Sequence, residues 1–138
     1  MSRKTTKTGL LLLFCWAGLA FSQIALRVVS VTPEPNSIKA DPASTVRAVF
    51  SAPLDSTAFE PGALAVYSRQ SGRVAGQVSY DSLQQALLFA AQSGFLPGDQ
   101  ITVTLTNRLT GLQGERLRNG FSWQFMVSAA KGAFNFQA

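Results

Sequence analysis

The stretch Gln100–Thr106, QITVTLT, decides the fold class of this chain. Ile101, Val103 and Leu105 alternate with threonines, so the apolar side chains fall on one face of an extended strand and the hydroxyl groups on the other. A strand with one apolar and one polar face packs on a core from one side only, which is typical of an antiparallel sheet. The stretch therefore predicts an all-β protein in which each sheet has one face in water.

Six further segments on either side of this stretch show a similar pattern, and Gly, Pro, Asn or Asp residues separate them. Such residues favour turns and interrupt strand ladders. The turn signals recur at a spacing of about 8–12 residues, and no segment has the convincing 3.6-residue apolar period of a helix. The sequence therefore predicts a seven-stranded antiparallel β-sandwich. The predicted strands are Val28–Thr32, Thr45–Ser51, Ala63–Ser68, Val74–Tyr80, Gln85–Ala91, Gln100–Thr106 and Phe121–Ser128.

The apolar faces of two such sheets must meet across about 10 Å to form a core. Trp123 and Phe125 share one face of the last strand with Phe121, which favours core packing over a flat platform for sugar rings. The residues expected in the core are Phe50, Leu87, Phe89, Ile101, Val103, Trp123 and Phe125.

Several short motifs follow one another in a specific order: FSAPLD at 50–55, GRVAGQV at 72–78, LPG at 96–98, TVT at 102–104 and WQF at 123–125. With these motifs the chain resembles a bacterial Ig-like domain of the type named after the S-layer protein SbsA. The resemblance implies an Ig-like β-sandwich that serves as a non-catalytic spacer, structural repeat or binding platform in exported and cell-surface proteins. The chain departs from the family at Ile101, where a Tyr that braces a corner is frequent.

Residues 1–22 have the layout of a secretory signal peptide. Three basic residues precede the uncharged apolar stretch GLLLLFCWAGLAF at 9–21, and Ser22 ends a small-residue cleavage site. As a helix this stretch spans about 20 Å, less than the roughly 30 Å of a bilayer core, so cleavage is favoured over an uncleaved membrane anchor. We therefore predict an exported protein that is secreted, at the cell surface or periplasmic, with a mature domain outside the membrane.

The remainder of the chain divides into two parts. Residues 23–128 contain all seven strands and form the predicted sandwich domain. Residues 129–138, AAKGAFNFQA, form a tail with Phe134 and Phe136 that either packs on the domain or begins a linker. Two hypotheses stay open: the chain is the leading piece of a longer surface protein, or it is a small free-standing secreted domain.

The positive charge of the full chain does not indicate nucleic-acid binding. Twelve Lys and Arg against seven Asp and Glu give a formal charge of +5, and loss of the signal peptide with its three basic residues leaves +2. The basic residues that remain form no stripe with interleaved aromatic residues, which is the pattern of a nucleic-acid interface. The expected partners are other domains of a longer surface protein or components of the cell envelope.

The residue types exclude much catalytic chemistry. The chain has no His and a single Cys, which excludes His-based acid–base catalysis, Ser-His and Cys-His nucleophiles, and His or multi-Cys zinc sites. Turn formation explains the seven carboxylates of residues 23–138 better than a paired-carboxylate hydrolase, which is the weaker alternative. We expect no catalytic residue and no cofactor. The carboxylates are those of Glu34, Asp41, Asp55, Glu60, Asp81, Asp99 and Glu115.

Three residues are candidates for an interaction surface. Tyr67 falls on the opposite strand face from Val66, and Arg116 and Arg118 lie in the long glycine-rich loop 107–120. An exposed aromatic or loop surface of this kind is the basis of an alternative function, an adhesin or carbohydrate-binding module. A calcium ion in the loop that holds Asp55 and Glu60 is not favoured, because the spacing of a calcium-binding loop is absent.

Overall fold

A computed structural model describes residues 25–129. The predicted signal peptide at 1–22 and all but the first residue of the tail lie outside the described residues. The strands are β1 Val28–Thr32, β2 Val46–Phe50, β3 Leu64–Ser68, β4 Gly72–Arg73, β5 Gly76–Asp81, β6 Ala86–Ala91, β7 Gln100–Leu105 and β8 Phe121–Met126, with a short 3-10 helix at Ser56–Ala58. No helix among residues 25–129 is long and apolar enough to span a membrane.

The strands form two four-stranded sheets in which all neighbours are antiparallel. The first sheet has the order β1-β2-β6-β5, and the second has the order β4-β3-β7-β8. The predicted antiparallel Ig-like sandwich is confirmed. All seven predicted strands are present, and the eighth is the two-residue β4, which lies where the sequence indicates only a turn.

The start of the fourth predicted strand needs correction. Val74 and Ala75 do not belong to β5 but carry the chain from one sheet to the other. The Val74 amide donates to the carbonyl of Val66 in the second sheet (2.8 Å), and the Ala75 carbonyl accepts from Gln92 at the end of β6 (2.9 Å). The chain therefore crosses between the sheets within two residues, and β5 begins only at Gly76.

The fifth predicted strand also begins one residue late, at Ala86. Gln85 has φ of 51°, in the left-handed region that a strand residue does not adopt. The Asp81 carboxylate accepts from the amides of Leu83 (3.0 Å) and Gln84 (3.1 Å), which closes the turn between β5 and β6. The turn therefore extends through Gln85 before the ladder resumes.

The core contains all seven residues that the alternation predicts, and each is buried. Phe125 meets Phe95 edge to face, with ring centroids 5.8 Å apart. The indole nitrogen of Trp123 donates to the carbonyl of Pro33 (3.1 Å) and joins β8 to the segment that follows β1. Ile101, which stands where the family often has Tyr, is fully buried and contributes packing without a side-chain hydrogen bond.

The outer edges of the sheets differ in how they are covered. Residues 36–40 run beside β8, where Asn36 donates to the Gln124 carbonyl (2.7 Å) and the Met126 amide donates to Ser37 (2.7 Å). The ladder of β1 has a register shift between Val28 and Ser30. β4 is two residues long, whereas β5 is a six-residue strand at the end of its sheet.

Candidate functional site: surfaces and polar clusters

Tyr67 lies on the outer face of the second sheet and is 45% exposed. Its inward neighbour Val66 is buried, as the alternation predicts. Across the ladder Tyr67 pairs with Arg73 of β4 and with Thr102 of β7. The exposed Arg73 and the half-buried Thr102 are therefore the cross-strand neighbours of Tyr67.

Arg116 and Arg118 are both exposed and flank the buried Leu117. Arg116 forms an isolated bridge with Thr110, and Gly111 donates to the carbonyl of Glu115 (2.8 Å). The glycine-rich loop is therefore folded back on itself, with an apolar anchor at its base and the two guanidinium groups outside.

The structure does not bring the three candidate residues together. Tyr67 pairs with Thr102 in the first half of β7, whereas the 107–120 loop leaves from the far end of that strand, after Leu105. The aromatic ring and the basic loop are therefore two separate surfaces toward opposite ends of the sandwich.

One carboxylate is buried, which the sequence did not predict. Asp99 is 1% exposed and accepts a hydrogen bond from the hydroxyl of Ser68 and another from the Gln100 amide (2.8 Å). The Ser68 oxygen in turn accepts from the amides of Gln70 (3.2 Å) and Ser71 (2.9 Å). The Ser68–Asp99 pair thus joins the turn after β3 to the start of β7, which is a structural role.

Several other carboxylates hold backbone turns. Asp41 accepts from the Ala43 amide (2.7 Å), and Asp55 caps the 3-10 helix by accepting from the amide of Thr57 (3.0 Å). Glu60 faces Arg108 across 3.7 Å at an exposed position. Among residues 25–129 no three Asp, Glu, His or Cys side chains are grouped to hold a metal ion.

A cleft of about 530 Å³ opens between β3 and β5, on the side of the sandwich where the chain crosses between the sheets. Its wall is mainly apolar. The lining includes Phe59, Leu64, Val66, Val74, Val78, Leu87, Phe89 and Leu109, with Glu60 and Arg73 as its charged members. The sequence analysis did not predict this cleft. Its one indication in the sequence is that few residues separate the turn at Gly72 from Gly76, which leaves β4 too short to cover this side of the sandwich.

The cleft leaves one core-facing side chain partly in solvent. Val78 is opposite the buried Phe89 in the β5–β6 ladder, so both point toward the interior. Phe89 is buried, yet Val78 is 43% exposed. No strand of the second sheet covers Val78, because β4 ends at Arg73.

Two facing antiparallel sheets with a shared apolar core and polar outer faces define an immunoglobulin-like sandwich module. The chain belongs to the bacterial Ig-like domain family, whose model matches residues 22–127. No curated protein sequence matches the chain.

Solved structures with the same fold come from proteins of several kinds. Native alpha-2-macroglobulin from Escherichia coli is similar over 78% of this chain, with 18% identity and a TM-score of 0.61, and the match covers 6% of the macroglobulin. The S-layer protein SbsC is similar over 76% of this chain, with 14% identity and a TM-score of 0.56, and 14% of that protein is covered. The copper resistance protein PcoC from Escherichia coli is similar over 74% of this chain, with 14% identity and a TM-score of 0.59, and 99% of it is covered.

Proposed function

We propose that the chain is an exported, non-catalytic Ig-like module with a structural, spacer or interaction role in a bacterial secreted or cell-surface protein. The family match over residues 22–127 carries this proposal. The occurrence of the same fold as a small part of an S-layer protein and of a macroglobulin supports the role of a module within larger proteins. Fold alone does not fix function, so the site chemistry must agree with it.

The polar chemistry of the described residues agrees with a non-catalytic role. Asp99 is enclosed and engaged with Ser68, and neither side chain has a histidine to activate it. The carboxylates of Asp41, Asp55 and Asp81 accept from nearby backbone amides, which accounts for their positions in turns. These contacts show that the carboxylates stabilise turns, which disfavours the alternative of a carboxylate-dependent hydrolase.

The likeness to PcoC does not lead us to propose copper binding. Copper sites in proteins are built mainly from His, Cys and Met side chains. This chain has no His, and Met126 is the one Met among residues 25–129. The likeness between this chain and PcoC is limited to the β-sandwich fold.

Export is tested by producing the full chain in a bacterial host, fractionating the cells and measuring the mass of the exported product. We expect a mature N-terminus at Gln23, because Ser22 ends the predicted cleavage site. Leu12→Arg places a charge in the apolar stretch and should leave the chain unprocessed inside the cell. Leu83→Arg is the matched control at an exposed position and should be exported normally. Retention of the unaltered chain in the cytoplasm would contradict the proposal.

A second candidate function is an adhesin or carbohydrate-binding module, which the exposed Tyr67 beside Arg73 favours. An aromatic face flanked by a hydrogen-bond donor suits stacking on a sugar ring. Binding of the exported protein to a glycan and protein panel should then fall with Tyr67→Ala and persist in the control Val29→Ala, which alters an exposed residue of the other sheet. A panel without hits removes this candidate.

A further inference from the structure

We propose that the outer edge of β5 is a self-association surface, at which two copies of this chain pair antiparallel about a two-fold axis at Val78. Two observations carry the proposal: β5 is a long unprotected edge strand, and its core-facing Val78 is left 43% exposed beside the apolar cleft. Neither depends on export or on the interaction surface of Tyr67.

The four sheet edges in residues 25–129 differ in how they are protected. Natural sheets protect their edges with covering segments, bulges, short strands, charges or proline. β8 is covered by residues 36–40, β1 has a register shift, and β4 has only two residues. β5 has no covering segment, no register shift and no proline, and its one charge, Asp81, stands at its last residue, so Gly76 to Tyr80, GQVSY, form an uncharged run in continuous register with β6.

A strand added to β5 would cover apolar surface at the cleft. Val78 points to the core side of the sheet, yet the cleft leaves it open to water. A strand added to β5 places its own core-facing side chains over the mouth of the cleft, because alternate residues of neighbouring strands share one face. Apolar surface at the cleft would then be removed from water, which favours association.

A second copy of β5 is the strand that fits this edge. In a two-fold pair Val78 faces its own copy, Gln77 faces Ser79, and the small Gly76 faces the large Tyr80. These three kinds of pair are complementary in size or polarity. The chemistry of the occupant is therefore that of β5 itself.

Charge selects the antiparallel direction. Asp81 is the acidic residue at one end of β5, and Gly76 begins the other end without a charge. Antiparallel pairing places the two Asp81 carboxylates at opposite ends of the pair, where they do not repel each other. Parallel pairing would place Asp81 beside Asp81, which is unfavourable.

The expected association is weak, since a six-residue edge buries less than the roughly 800 Å² per partner of a stable complex. The test is sedimentation velocity of the full chain, purified as the host processes it, from about 1 µM to 1 mM, a range that brackets weak dimers. We expect a monomer–dimer equilibrium in this range. Val78→Lys should raise the dissociation constant at least about tenfold, as an edge lysine blocks pairing. Leu83→Lys adds the same charge at a 95% exposed residue of the adjacent turn and should leave the equilibrium unchanged.

Cysteine cross-linking gives a second readout that does not depend on tolerance of a lysine. Directly opposed residues of an antiparallel pair have Cα atoms about 4.5–5.5 Å apart, within the range of a disulfide. Under mild oxidation Val78→Cys should form covalent dimers faster than Leu83→Cys, although residue 83 is more exposed. Random collision would give the reverse order.

Three outcomes would overturn the proposal. One is a monomer at all concentrations, and another is a dimer that Val78→Lys leaves intact. The third is a monomer whose β5 amide resonances shift on addition of a peptide of residues 129–138, which would assign this edge to the tail. Equal melting temperatures of the two lysine variants ensure that loss of the dimer is not loss of the fold.

Discussion

Replacing the buried hydroxyl of Ser68 tests whether the Ser68–Asp99 pair stabilises the sandwich. In Ser68→Ala the Asp99 carboxylate stays enclosed but loses one of its two described donors. A hydrogen bond to a charged group contributes about 1.5–3 kcal/mol, and its loss leaves a buried acceptor unpaired. The amides of Gln70 and Ser71 lie in an exposed turn, where water can replace the lost acceptor. We therefore expect the free energy of unfolding to fall by about 2–3 kcal/mol.

The assay is urea unfolding of the purified protein, followed by the fluorescence of Trp123, the one tryptophan after residue 22. For a domain of about 100 residues a loss of this size lowers the melting temperature by roughly 10–20 °C. Ser30→Ala, at an exposed position of β1, is the matched control and should change the free energy by less than about 0.5 kcal/mol. A Ser68→Ala variant as stable as this control would refute the reasoning.

Three further substitutions test the packing, each against the same exposed control. Gly76→Ala should cost about 1–3 kcal/mol in urea unfolding, because a Cβ there would overlap the Phe89 ring and a backbone carbonyl of β6, which cannot both retreat. Tyr80→Phe should cost about 1–2 kcal/mol, because the buried Leu54 amide loses the hydroxyl to which it donates (2.8 Å), and an unchanged midpoint would show that water replaces it. Phe125→Ala should cost about 3–5 kcal/mol, or leave the chain unfolded by circular dichroism, because it opens a cavity at the centre of the core.

Alternation predicted the strands because it reports which face of a residue is buried, and that is a local property. It placed Ile101 and Phe89 in the core without knowledge of their partners. It misplaced strand starts where local backbone geometry intervenes. Gln85 adopts a positive φ to close a turn, and Val74 leaves one sheet before β5 begins in the other. A period-two pattern continues through both residues, so the sequence alone gives no sign of either break.

The surfaces were predictable to different degrees. Tyr67 was expected to be exposed because its strand neighbours are apolar, and alternation then assigns it to the outer face. The burial of Asp99 was not predictable, because an Asp before a strand is usual in a solvated turn. What encloses Asp99 is the approach of Ser68 from a strand 31 residues earlier, which no local pattern reports.

The cleft and the exposure of Val78 have one structural cause. β4 pairs with β3 only at Tyr67 and Ser68, and a longer β4 would continue along β3 toward Leu64 and cover the cleft. The chain instead leaves at Val74, so the side of the sandwich between β3 and β5 stays open. A charged residue in place of Val78 would protect this edge at little cost to the fold, because Val78 is already 43% exposed. A valine at that position is better explained by a surface that is covered part of the time than by the needs of the isolated sandwich.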